Sequence, residues 1–307
     1  MPKVMRGLAP AFLLLSFLGL AGCVSRPAVE RTVKYGPTIR DRLWMWGHHP
    51  EFTLAKYDGK SICASAGSVD KPGSDMAEAC RFLGIPNCCV VLYNPKDHPL
   101  DAFTPQFRDM GRVAWSIVDG GGGETKDRLA TAYEAKRMLP NLDTLYLDDY
   151  FVKSMGLTKS AADLAKVRDE IHARGFKLAC VLYSDQDGLK PEFKESVDLC
   201  DEVSYWFWRA ENLAKGEESI RACRRYVGEG KSLLLGVYMF DFGGGNKPIP
   251  RDVMLHQLDV ALRLLRDGTV DGLIFHCTPM CNLGLEAVEL SRQWIAEHGD
   301  ERIRKSN

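Results

Sequence analysis

The feature that most constrains this chain is an alternation. From residue 42 onward an apolar, strand-like run is followed by a helical run, and the cycle repeats eight times. The strand-like runs are 42–48 (RLWMWGH), 88–93 (CCVVLY), 112–118, 142–151 (LDTLYLDDYF), 177–183, 202–208 (EVSYWFW), 232–240 (SLLLGVYMF) and 272–277 (GLIFHC). Helical spacing fills the intervals at 75–83, 103–110, 125–139, 161–174, 191–199, 217–227, 251–266 and 285–298. The strands are apolar on both faces, as in a parallel sheet covered by helices. Eight such units predict a single (β/α)8 TIM barrel. A doubly wound open sheet would carry a glycine-rich phosphate fingerprint after its first strand. None stands there, and the Gly120 to Gly123 run follows the third strand as a loop.

Punctuation agrees with the alternation. Pro140 ends the third helix, Thr158 or Ser160 offers a cap for the fourth, Gly175 closes it, and Pro191 opens the fifth. Thr125 could cap the third helix, but Arg128 stands where a capping box wants Glu or Gln.

The first 22 residues lie outside this pattern. Lys3 and Arg6 precede an apolar run from Leu8 to Leu20, which is shorter than the ~20 residues a spanning helix needs. The run ends in Leu20-Ala21-Gly22-Cys23. This resembles the lipobox of bacterial lipoproteins, which implies cleavage before Cys23 and a lipid on its sulfur. The expected organisation is a signal peptide at 1–22, a lipid-anchored tether at 23–40 rich in Ser, Arg, Pro and Gly, a barrel at 41–300 and a tail at 301–307. The expected location is then the bacterial cell envelope, exported and membrane-anchored. A formal net charge of −1 gives no reason to expect nucleic acid as a partner.

Nine cysteines follow Cys23. Cys88, Cys89 and Cys180 sit in apolar strands, where cysteine acts as a small buried hydrophobe. No CxxC pair exists, and Cys277 and Cys281, four apart beside His276, make a poor zinc pattern. No metal and no cofactor are expected.

In a barrel, function collects where strands end. Those positions hold His48, Tyr93 and Asn94, Asp148 and Asp149, Tyr183 and Asp185, Trp206 and Trp208, Tyr238 and Asp241, and His276. Acids, histidines and aromatics on one rim describe a cleft that can bind sugars. Ring C–H faces pack on aromatic planes, and hydroxyls bond to carboxylates and amides. Several of these residues also have structural readings. Trp206 shares strand parity with the barrel lumen and could fill the core. Asp241 and Asp185 could shape turns, and His276 could be a satisfied core histidine.

The fourth strand is the strongest signal. Thr144, Tyr146 and Asp148 share one face, and Asp149 has the opposite parity. Asp149 reaches the site only if the strand has already turned into its loop. Two adjacent carboxyls push their pKa values apart. One can then stay protonated as an acid while the other is ionised, the division of labour in glycoside hydrolysis.

With LYLDDY on its fourth strand, the barrel resembles the glycoside hydrolase superfamily, and its acid pair is similar to that of the O-GlcNAcase and β-hexosaminidase families. The resemblance covers one strand and the architecture. It implies that Asp148 orients the substrate's own 2-acetamido group as nucleophile and that Asp149 is the acid/base. The expected activity is hydrolysis of an extracellular glycan by carboxylate acid/base catalysis, either substrate-assisted on an N-acetylhexosaminide or conventional, with one of the pair working with Asp241 or Asp185; the expected partner is a carbohydrate. A non-catalytic glycan-binding surface lipoprotein is the alternative from another class. A metal-dependent barrel hydrolase is a third reading. His48-His49 is not the HxH of first-strand metal sites, and the fifth and sixth strands carry no histidine.

Overall fold

The computed structural model describes residues 36–48, 53–57, 60–63, 76–91, 99–118, 126–151, 160–184 and 189–303. The signal peptide and Cys23, with Tyr93, Asn94 and Asp185, lie outside the described residues.

Eight parallel strands close into a ring: β1 (Leu43–His48), β4 (Asn87–Val91), β5 (Arg112–Ser116), β6 (Leu142–Leu147), β7 (Lys177–Tyr183), β8 (Glu202–Trp206), β9 (Ser232–Tyr238) and β12 (Gly272–His276). Neighbours in the ring pair in chain order, and β12 returns to pair with β1, Trp46 opposite His276. Eight α-helices accompany them: α1 (Met76–Leu83), α2 (Leu100–Phe103), α3 (Lys126–Met138), α4 (Ala161–Ala173), α5 (Pro191–Val197), α6 (Gly216–Val227), α7 (Arg251–Arg266) and α8 (Glu286–His298). This is the predicted (β/α)8 barrel. Two hairpins decorate its loops: β2 (Thr53–Tyr57) with β3 (Lys60–Cys63), and β10 (Phe240–Asp241) with β11 (Lys247–Pro248).

Local chemistry explains the ends. The Ser160 side chain caps α4 by accepting from the Asp163 N–H, and Gly175 takes the left-handed φ of 83° that follows it. Below the barrel, Ile39 donates to the Glu301 carbonyl and Ile303 to the Pro37 carbonyl, so residues 301–303 pair with 37–39.

The lumen is filled in layers, as a barrel of eight strands must be. Trp44 lies low, under the Arg112 guanidinium. Above it Trp46 packs edge-on to Tyr146 at 5.6 Å and to Trp206 at 5.4 Å. Glu202, wholly buried, accepts a 2.9 Å hydrogen bond from the Tyr146 hydroxyl. Gly236 is required here: a Cβ on it would stand 2.0 Å from the Trp206 ring. The top layer holds His48, His276, Tyr238 and Asp148, all buried.

Candidate functional site

The fourth barrel strand decides the site. β6 ends at Leu147, and Asp148 continues its lumen-facing parity while buried to 6% exposure. Asp149 then adopts φ 53°, a left-handed conformation that L residues other than Asn and Asp rarely take. The strand has therefore turned before Asp149, which is the condition its parity demanded. Its side chain is half-exposed, and the Tyr183 hydroxyl, at the end of β7, donates to its Oδ1 at 2.7 Å.

Both carboxyls are held above the ordinary carboxylate range. Burial is the main cause for Asp148, followed by the neighbouring charge of Asp149; the Arg128 guanidinium opposes it. Burial also raises Asp149, and the Tyr183 hydrogen bond offsets part of that rise. Both shifts point the same way, so the pair favours holding one shared proton. Burial and the two aspartates push the Tyr183 and Tyr238 phenols up, so both remain protonated.

An aromatic wall rises beside the pair. Trp208, half-buried on the rim, stacks on Phe242 with ring centroids 5.9 Å apart and planes at 24°. It also meets Tyr183 at 6.2 Å and Tyr238 at 6.0 Å, both edge-on. Gly243 donates to the Trp208 carbonyl at 3.1 Å, and a Cβ on it would strike the Trp208 side chain at 2.4 Å. Only glycine lets this loop close on the wall. His276 continues the surface, 4.7 Å from Tyr238 and 5.1 Å from Phe242. The His48 and His276 rings face each other through Nε2 atoms 3.3 Å apart. Burial holds His48 down to about 3 and lowers His276 as well, so both imidazoles are neutral.

The structure thus brings Asp148, Asp149, Tyr183, Trp208, Tyr238, His276 and His48 onto one continuous surface. Two expected site residues are placed differently. Trp206 is 2% exposed, and its Nε1 donates to Ser204 Oγ at 2.8 Å, so it is the floor beneath Tyr238 and His276 rather than a wall. Asp241 is buried with Oδ1 accepting from the Gly244 N–H at 2.8 Å and the Ala210 N–H at 3.3 Å, so it shapes the β10–β11 loop.

Two contributors escape the sequence reading. Phe242 lies in the DFGGG segment after the seventh strand, a segment read as a turn. Arg128, on the first turn of α3, is buried, and its charge acts on Asp148. The missing capping box was its only trace, because a buried arginine at that position serves a carboxylate elsewhere.

No family model matches the sequence, and neither does any curated protein. Solved structures do share the fold. A protein assigned as an α-L-fucosidase from Bacteroides thetaiotaomicron VPI-5482 aligns with a TM-score of 0.56 and 11% identity, over 96% of this chain and 99% of its own. A xylanase–amylase inhibitor protein aligns at 0.52 and 10%, over 84% and 98%. The α-L-arabinofuranosidase of Thermotoga maritima, solved with arabinose, aligns at 0.50 and 13%, over 84% and 71%. At such identities the likeness is one of fold, and chemistry has to be argued from the site.

Proposed function

We propose that this chain is a glycoside hydrolase working at the barrel mouth through Asp148 and Asp149. The observation that carries the reading is the adjacent pair of carboxyls, Asp148 buried and Asp149 partly so, both raised, beside an aromatic wall. Two barrels of like fold, the fucosidase-assigned protein and the arabinofuranosidase, are glycosidases by name.

The pair favours a particular mechanism. Consecutive residues present their carboxyls from one side of a bound sugar, whereas conventional glycosidases flank the bond with two. Asp241 is committed to its loop, and Glu202 is closed off in the lumen. A nucleophile from the substrate itself resolves this. In our reading the 2-acetamido group of an N-acetylhexosaminide donates its N–H to Asp148, which favours the ionised form of that carboxyl. The shared proton then moves to Asp149 Oδ2, since Oδ1 is held by Tyr183. Asp149 gives that proton to the leaving oxygen as the acetamido oxygen attacks the anomeric carbon. Water, deprotonated by Asp149, then opens the cyclic intermediate. Trp208 and Phe242 hold the sugar by its C–H face.

The test is a panel of aryl glycosides with 2-acetamido and 2-hydroxy sugars. Turnover confined to the 2-acetamido members is expected. Equal turnover of both would contradict the substrate-assisted route.

A second reading rests on the half-exposed aromatic wall, which serves binding as well as cleavage. The inhibitor protein of like fold shows that the barrel does not entail hydrolysis. A binder would be stabilised thermally by a glycan and release no reducing ends. On the Leu20-Ala21-Gly22-Cys23 motif we further propose an exported lipoprotein anchored through Cys23. Mass spectrometry of the mature N-terminus would show a diacylglyceryl cysteine, and an unmodified Met1 would overturn it.

A further inference from the structure

We propose that His48, His276 and Cys277 form a binding site for a zinc-class divalent cation at the seam where the first and last strands close the barrel. His48 ends β1, His276 ends β12, and Cys277 follows directly. One donor atom from each of the three lies within 4.8 Å of the other two. The two Nε2 atoms are 3.3 Å apart. Two imidazole nitrogens bound at ~2.0–2.1 Å to one tetrahedral centre stand about 3.3 Å apart as well. The apposition therefore already has the bite of a chelate.

Burial and donor chemistry support it. His48 and His276 are 4% and 8% exposed, and Cys277 is wholly buried. His276 Nδ1 is also buried and makes no hydrogen bond among the described residues. The His48 backbone N–H donates to Thr278 Oγ1 at 3.2 Å, which ties the end of β1 to the segment carrying Cys277. Rings of Trp206, Tyr238 and Phe242 surround His276, a dry shell that strengthens ligation. Two imidazoles and a thiolate select zinc or a soft transition ion over magnesium or calcium. Three protein ligands leave a fourth position for water or substrate.

Loading balances as follows. The Cys277 S–H bond breaks, a sulfur–metal bond forms, and the proton passes to buffer. The proton between the two imidazoles relocates to an Nδ1, and each Nε2 lone pair turns to the cation. Sequence spacing could not show this site, because its histidines are 228 residues apart.

The proposal does not depend on glycosidase chemistry. Chelator-dialysed protein is titrated with Co2+, used as a coloured stand-in for zinc. We expect saturation at one equivalent, a tetrahedral visible spectrum with a thiolate charge-transfer band, one proton released and a higher melting temperature. Cys277→Ser, nearly isosteric, should abolish the charge-transfer band, and His276→Gln should weaken binding at least tenfold; circular dichroism checks that both variants fold. Absence of stoichiometric binding by the wild type, or an unchanged spectrum in Cys277→Ser, overturns the assignment. Asp149→Asn should load cobalt normally, so loss of turnover in that variant bears on the hydrolase reading alone.

Discussion

Asp149 occupies a backbone conformation that few side chains tolerate, and this determines how it should be probed. At φ 53° an Asn substitution keeps the turn, whereas Ala would add strain to the loss of the carboxyl. Tyr183 donates to Asp149 Oδ1 and thereby lowers its pKa. Tyr183→Phe should then move the alkaline limb of the pH–rate profile upward and cut kcat about tenfold, the cost of about 1.5 kcal/mol for a lost bond to a charged group. A limb that stays put or moves down would contradict that role. Asp148 gives a prediction for stability. Its folded pKa is raised above the ordinary aspartate value, so the fold prefers the protonated form. Stability should fall as pH rises from that value through the folded pKa. Asp148→Asn removes the penalty and should raise the melting temperature at neutral pH but not in acid, as measured by calorimetry.

At the scale of elements, the strands are legible because their burial is two-sided. Runs such as SLLLGVYMF have no other place in a soluble fold, and β7 and α7 begin and end where the sequence put them. The β2–β3 hairpin is not legible. It lies in a loop, and two short strands paired only with each other carry no period that a core imposes. The depth of a side chain along a strand is also hidden. Trp206 and Trp208 have the same parity, yet one is floor and the other rim, because the mouth begins only one layer above Trp46 and Tyr146. Gly236 makes that floor possible. Gly236→Ala should drive the Trp206 ring from its place and cost about 1–3 kcal/mol in urea unfolding. A neutral result would show that the Trp206 ring shifts freely.

For the whole molecule, closure of the ring joins residues that the chain keeps far apart. The first, fourth, fifth, sixth, seventh and eighth strands each contribute one or two side chains to a single polar and aromatic mouth. The rim positions could be named from strand ends alone, since topology places all eight on one face. Their contacts could not. The Tyr183–Asp149 bond spans 34 residues and the His48–His276 apposition 228, and neither distance follows from spacing. The acid pair is where sequence and structure meet: visible as a dipeptide, and interpretable only once Asp149 is seen to turn out of the strand. The most direct test is turnover by Asp149→Asn against wild type on 2-acetamido glycosides of graded leaving-group ability. The account predicts a fall in kcat of about 10²–10⁴-fold, largest for the poorest leaving group, with the fold intact by circular dichroism. Turnover equal to wild type across that series would contradict it.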